Sequence, residues 1–383
     1  RRAPGQALLA SLILPFPAPP PGWHAFFPRE FFDVPAFLRG LAATNRLPSD
    51  MSVIARNAAS DDLEQSLLDE YAAAGSLDNI IPRLARDERA MRRIEAVVQH
   101  RHTSHDLILG DSRSAAELGP GSVHLVVTSP PYWTLKRYNE GEDQLGHVVE
   151  YDEFIAGLDK VWKHCYDALV PGGRLVVNVG DVCLSRRKNN GRHTVVPLHA
   201  TIQEHCKRIG FDNLSPIIWH KISNANYEVE GGAGGFLGKP YEPNAVIKND
   251  IEFILMQRKP GGYRSPTSIE RFLSIVPADM YQIWFRQIWS DIRGASTSKH
   301  PAPFPEELAV RLIRMFSFVG DTVLDPFMGT ATTNYAAARW GRNSIGIEVD
   351  PASSKLRPER GFRHRTGPCP GEGDHHIGFR PAE

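Results

Sequence analysis

The chain has 383 residues, enough for one large or two modest domains with a sizeable core. Its 44 Lys and Arg balance 44 Asp and Glu, so no whole-chain positive field exists, and any nucleic-acid contact must come from local patches. The four cysteines, Cys165, Cys183, Cys206 and Cys369, form no CxxC pair, which argues against a zinc site or disulfide frame and fits a reducing cytoplasm.

The first residues, "RRAPGQALLASLILPFPAPPPGW", loosely resemble a signal peptide but dissolve into prolines without a small-residue cleavage site. Residues 1–50 are therefore expected to be a disordered or non-native extension, with export the less favoured reading. No run reaches the ~18 apolar residues that span a membrane. Residues 51–103 form a helical segment: "DDLEQSLLDEYAAAG" and "IPRLARDERAMRRIEAVVQH" space apolar residues three and four apart. "HDLILGD" is a short strand, "SAAELGPGS" a helical turn and loop, and "VHLVVTSPPY" the next strand. "YDEFIAGLDKVWKHCYDAL" is an amphipathic helix ended by "VPGG", followed by the buried strand "RLVVNVGD". "HTVVPLHATIQEHCKRIGF" reads as a helix, "NLSPIIWHK" leads to a strand, and "DIEFILMQRK" is another strand. "PEELAVRLIRMFSFVGD" is a helix, "TVLDPFMGTATTNYAAARWG" a strand, turn and helix, and "RNSIGIEVDP" a strand. Alternating strands and helices imply right-handed crossovers and a doubly wound, mostly parallel α/β sheet.

Two long irregular stretches, 223–249 and 260–298, interrupt this pattern, and loops of that length are commonly functional. "MYQIWFRQIW" in the second fits a core helix as well as a binding surface. The tail after Pro351, "ASSKLRPERGFRHRTGPCPGEGDHHIGFRPAE", has no apolar period, so residues 352–383 are expected to be disordered or altered. His375 and His376 are not read as a metal site, and no metal is expected.

The turn after "TVLD" carries ligand-binding chemistry. In open α/β sheets ligands bind beyond the carboxyl ends of strands. Gly329 allows close backbone approach, while Thr330, Thr332 and Thr333 place hydroxyls near a helix start. About twenty residues on, Glu348 ends a strand, where a carboxylate can accept from both hydroxyls of a ribose. GxGxxG and GxxxxGK[ST] are both missing, which disfavours a nicotinamide dehydrogenase or a triphosphate site.

In "TSPPYW" a strand delivers Ser129 to its tip, and Pro130 and Pro131 keep carbonyls while lacking N–H groups. Tyr132 adds a flat face. Acceptors beside an aromatic plane suit the exocyclic amine of a stacked base, whose lone pair must be freed from the ring before it can attack an electrophile. Alone, "SPPY" fits an edge-strand terminator with a core tyrosine better.

Together, "TSPPYW" and "DPFMGTATT…GRNSIGIEVD", in that order, resemble the amino-methylating DNA methyltransferases of the permuted β group. "LILGD", "GGRLVVNVGD", "IEFILMQRK" and "KHPAPFPEELAVRLI" also fit, so the resemblance covers residues 104–351. It implies an S-adenosylmethionine-dependent methyltransferase fold with a Rossmann-like cofactor site and circularly permuted motifs. The catalytic half would be 104–259, the target-recognition region 260–298 and the cofactor half 299–351. S-adenosyl-L-methionine would sit over Asp325, Pro326, Phe327, Gly329 and Thr330. Glu348 would meet the ribose, Asp111 the adenine, and His300 and Pro301 the methionine end.

The resemblance further implies a target nucleotide flipped from double-stranded DNA and stacked on Tyr132, with Ser129, Pro130 and Pro131 aiming its amine at the sulfonium methyl. Ser before Pro-Pro, in place of Asp or Asn, points to cytosine N4 over adenine N6. Transfer is direct, with no cysteine placed as a nucleophile. Arg186, Arg187, Lys188 and Arg192 in "SRRKNNGR" are candidates for phosphate contacts. A restriction–modification setting is implied, with a separate cognate endonuclease as a partner. A catalytically inactive DNA-binding relic is the reading from another class, because the family normally continues past the acidic strand into a helix that "SSKLRPERGF" does not resemble.

Overall fold

In a computed structural model, residues 49–73, 75–114, 118–133, 144–184, 186, 189–221, 249–294, 305–351 and 362–366 are described. The chain forms two compact units, Arg1–Asp62 and Leu63–Glu383. Of the first, only residues 49–62 are described, within the helix α1 (Ser49–Ala72). The second unit holds the remainder of the fold.

That unit is built on a nine-stranded sheet. In chain order its strands are β1 (His105–Leu109), β2 (Val123–Thr128), β3 (Leu169–Val179), β6 (Asp212–His220), β7 (Ile251–Arg258), β8 (Ile288–Trp289), β9 (Thr322–Asp325), β10 (Asn343–Glu348) and β11 (Phe362–Thr366). The short strands β4 (Val182–Leu184) and β5 (Thr194–Val196) pair separately as a hairpin. The spatial order is β11-β1-β10-β9-β2-β3-β7-β6-β8. Among the described strands of this sheet, only β7 runs antiparallel, against both β3 and β6.

The continuous apolar runs follow from coverage of both faces. Along β2, Val123 and Val126 join a core with α4 (Tyr151–Ala168) and α5 (Leu198–Ile209), which contribute Phe154, Trp162 and Ile202. Leu125 and Val127 point the other way, into a core with Leu308 and Leu312 of α8 (Glu306–Phe316) and Ala336 of α9 (Thr332–Arg339). Period-two alternation from Leu125 to Val127 thus divides the strand between two cores, and an irregularity between Val123 and Leu125 returns Val123 to the face of Val126.

Four sequence expectations change. The strand expected after "VPGG" starts before it: α4 stops at Ala168 and β3 begins at once, the extra residues being absorbed as a register shift against β2. "HTVVPLHA" splits at Pro197, before which Thr194–Val196 pairs as β5. Among the described residues, the helical 51–103 segment divides into three helices: α1, which starts at Ser49, α2 (Leu77–Leu84) and α3 (Glu88–His100). Finally, the tail past Pro351 is not wholly without structure, since β11 pairs in parallel with β1 along five residues. An open sheet edge needs only backbone partners, so an apolar period is no prerequisite there.

The motif-free N-terminal helices have a packing role. Leu67, Ile80, Leu84, Met91 and Ile94 share a core with Val319 and Trp340, and with Phe272 and Leu273 of α6 (Ser268–Leu273). Part of the expected recognition region is therefore interior. Trp284, at the end of α7 (Ala278–Trp284), and Trp289 are buried too, whereas Tyr281 and Phe285 stack on each other at 4.3 Å on the surface. Among the described residues, no helix is long and apolar enough to cross a membrane.

Candidate active site

Because the strands run in parallel except for β7, one edge of the sheet collects their carboxyl ends and the amino end of β7. Along that edge lie, in spatial order, Asp111 after β1, Glu348 ending β10, Asp325 ending β9, Ser129 after β2, Asn178 in β3, Glu252 in β7 and Lys221 after β6. Neighbouring tips are one strand spacing apart, ~4.8 Å. Asp325 and Ser129, far apart in the sequence, become neighbours because β9 pairs with β2, Val323 opposite Leu125 and Leu324 opposite Val126.

The turn after β9 is held by carboxylates that accept backbone N–H groups. Asp325 Oδ1 accepts from Phe327 N at 3.1 Å and from the Thr128 hydroxyl at 2.6 Å, which ties β9 to β2. Glu348 Oε2 accepts from Gly329 N at 2.8 Å, and its Oε1 accepts from Asp350 N at 2.9 Å. Gly329 has φ +52°, in the left-handed region, and a Cβ there would meet nothing within 4 Å. Its backbone therefore faces open space, as close approach of a ligand requires. Pro326 is buried, Thr330 is exposed, and Phe327 packs edge-on to Trp162 at 6.1 Å.

Burial pushes the Asp325 carboxyl up to about 6, against the hydrogen bonds from Thr128, Thr333 and Phe327 N, with the Glu348 charge raising it further. Burial raises Glu348 as well. Asp325 is only 5% exposed, so its place is inside the turn as a brace. Asp111 accepts from Arg113 N at 2.8 Å and from the Arg113 guanidinium. It lies beside Glu348 because β1 pairs with β10, Leu109 opposite Glu348.

The turn after β2 is held by side chains. Tyr132 Oη donates to Glu252 Oε2 at 3.1 Å, Asn178 Nδ2 donates to the same oxygen at 2.7 Å, and Lys221 Nζ donates to Glu252 Oε1 at 2.8 Å. Ser129 Oγ lies 3.3 Å from Tyr132 Oη. A Cβ on Gly180 would stand 3.3 Å from the Tyr132 ring, so glycine there leaves that ring its space. Trp133, at φ +45° a strained position for its type, donates from Nε1 to Val149 O at 3.1 Å. Pro130 is buried and Pro131 half-buried.

Asn178, Glu252, Lys221 and Thr128 were not anticipated from the sequence. Their signal was present in two cases: "VVNV" and "IEFILM" each set one polar residue inside an apolar strand, where burial demands a partner. Arg186 and Arg192 are exposed on the β4–β5 hairpin, which follows β3 at the same sheet edge. Arg187, Lys188, His300 and Pro301 lie outside the described residues. Burial pushes the thiols of Cys165 and Cys206 far up, so neither offers a thiolate.

Residues 123–356 match the family model N6_N4_Mtase, DNA methylase. The chain belongs to that family. The Type II methyltransferase M.MjaI of Methanocaldococcus jannaschii is 37% identical over 287 residues, 67% of this chain and 91% of that protein. M.MthZI of Methanothermobacter thermautotrophicus, also a Type II methyltransferase, is 35% identical over 65% of this chain and 74% of its own length. A candidate DNA modification methylase from Thermus thermophilus, solved with S-adenosyl-L-methionine, is 53% identical with a TM-score of 0.54, covering 66% of this chain and 90% of that one. The fold is thus the α/β methyltransferase fold of DNA methylases that act on exocyclic amines.

Proposed function

We propose that this methylase transfers the methyl group of S-adenosyl-L-methionine to the N4 amine of cytosine in double-stranded DNA, acting directly on a flipped base. The observation that carries this reading is the adjacency of two turns: Ser129 at the tip of β2 stands one strand from the Gly329 turn, and the Thr128–Asp325 hydrogen bond ties the strands together. The open face of Gly329 and the two acids on neighbouring strand tips fit a nucleoside-bearing cofactor. Gly329, Phe327, Thr330, Glu348 and Asp111 would hold it, with Asp325 bracing the turn. His300 and Pro301 are proposed for its methionine end, on the family resemblance alone. When bound, the cofactor supplies an electrophilic methyl on a sulfonium.

The chain's own residues do the remainder. Tyr132 stacks on the extruded base, and Ser129 with the Pro130 carbonyl accepts its two amine hydrogens. Acceptors on both N–H bonds turn the nitrogen lone pair out of conjugation and toward the methyl. Positioning of this kind can supply ~7–11 kcal/mol of barrier reduction. Arg186 and Arg192, with Arg187 and Lys188 beside them in sequence, would contact phosphates. Ser129 favours cytosine, since a hydroxyl reaches less far than a carboxylate or amide and suits a differently placed amine.

The test is methyl transfer to unmethylated DNA followed by nucleoside separation. N4-methylcytosine is the expected product. N6-methyladenine alone would move the assignment to the adenine branch. No transfer by folded protein that still binds DNA would make the chain an inactive relic.

A further inference from the structure

The Ser129 hydroxyl poses a chemical problem. An aspartate or asparagine carbonyl in its place can only accept. A serine hydroxyl carries its own hydrogen, which rotates to suit its neighbours. Turned toward the base, that hydrogen would compete for the nitrogen lone pair that must attack the methyl group. A serine acceptor therefore needs a partner that draws its hydrogen away.

The network behind Tyr132 does this. Among the described residues, the single Tyr132 hydroxyl hydrogen has three oxygens within reach: Glu252 Oε2 at 3.1 Å, Ser129 Oγ at 3.3 Å and Asn178 O at 3.4 Å. The nearest is also a carboxylate, the strongest acceptor of the three, and a charge-assisted bond wins over neutral ones. The Tyr132 oxygen then presents its lone pairs to the Asn178 amide, at 3.2 Å, and to Ser129. The Asn178 amide is turned the right way for this, since its Nδ2 also donates to Glu252 at 2.7 Å, and a flip would set two acceptors face to face. Lys221 fixes the far oxygen of Glu252 at 2.8 Å. Glu252 is buried at 8% exposure, where a carboxylate without such partners is costly.

We propose that Glu252, held by Lys221 and Asn178, is a positioning residue that acts through Tyr132 to orient the Ser129 hydroxyl as a one-way acceptor for the target amine. This rests on the reading of Ser129 as the group that meets the amine. Tyr132 then has two functions, its ring stacking on the base and its hydroxyl setting the polarity of Ser129.

Single-turnover methyl transfer to saturating unmethylated genomic DNA tests the idea with four variants. Tyr132→Phe keeps the ring and removes the relay oxygen, while Glu252→Gln keeps the shape and places an N–H donor toward Tyr132. Each is expected to slow transfer by roughly tenfold, with S-adenosylmethionine affinity within about twofold of wild type. In a Ser129→Ala background, neither change is expected to slow transfer further, because there is no hydroxyl left to orient.

A Tyr132→Phe enzyme with the wild-type rate would overturn the proposal. So would a Glu252→Gln effect of equal size with and without Ser129, which is what simple structural damage gives. Should Glu252→Gln fail to fold, Tyr132→Phe with and without Ser129 decides alone. If the wild-type protein itself binds cofactor and DNA but transfers no methyl, the function proposed above fails and the relay falls with it. If wild type transfers and Tyr132→Phe matches it, only the relay is lost.

Discussion

The turn after β9 and the turn after β2 sit one strand apart, yet they are held by different kinds of bond. Around Gly329, two carboxylates accept backbone N–H groups, so the geometry is set by main-chain donors on two fixed acids. Around Ser129, the bonds run from side chain to side chain through Tyr132, Asn178, Glu252 and Lys221, drawn from four strands or their ends. A turn braced by its backbone suits a ligand that is always the same. A turn braced by side chains can set the direction of single hydrogens, which is what chemistry on an amine requires.

Substitutions can test this contrast at either turn. The largest effect is expected from Ser129→Ala, which removes the proposed acceptor and should lower the single-turnover rate by roughly 10²–10³-fold, comparable to losing one preorganised polar group at a reacting centre. Cofactor binding, followed by calorimetry, should be unaltered. Asp325→Ala is the converse. It orphans Phe327 N and the Thr128 hydroxyl, at about 1–3 kcal/mol each, and should abolish detectable cofactor binding while circular dichroism stays native. Wild-type affinity in that variant would show that the Gly329 turn does not need its brace.

Asp325→Asn probes the same turn through pH. Folding raises the Asp325 pKa from 3.8 to about 6, so the folded chain keeps a proton that the unfolded chain has released. Stability from this group therefore falls as pH rises from 3.8 through about 6 and is level above that. The full penalty is at most about 3 kcal/mol. Urea denaturation is expected to show that decline in wild type and a shallower one in Asp325→Asn. Identical slopes would mean that the carboxyl is not the source.

Tyr132→Ala should cost about 1–3 kcal/mol in holding the flipped base, read from DNA affinity and from the fluorescence of a base analogue at the target. The smallest effect is expected from Arg192→Ala, on the β4–β5 hairpin. It should weaken DNA binding uniformly and reduce the salt slope by about 0.9, the share of one phosphate contact.

Much of this site was legible in the sequence, and for stated reasons. "TVLDPFMGT" and "IGIEVD" are local signals: an apolar strand, an acid at its tip and a glycine where positive φ is needed. The structure reproduces each in place. The helix after the first of them was equally plain. What was not legible depends on pairing. "VPGG" reads as a helix end ahead of the next strand because Gly and Pro end helices, yet β3 already runs through it beside β2. The strand β11 has no apolar period to announce it, because a backbone ladder on β1 supplies its bonds. The aromatic stretch in 278–289 divides by burial, Trp284 and Trp289 inward and Tyr281 and Phe285 outward, which spacing alone left open.

Element order, the acid-tipped strands and the family to which they point could all be read from residues a few positions apart, because they follow from local propensity. Folding had to occur before Asp325 could face Thr128, before Glu252 and Lys221 could stand behind Tyr132, and before the N-terminal helices could pack on Phe272 and Trp340. Those contacts join residues many tens of positions apart. The network behind Tyr132 exists because one antiparallel strand, β7, brings its amino end to the edge where the parallel strands bring their carboxyl ends.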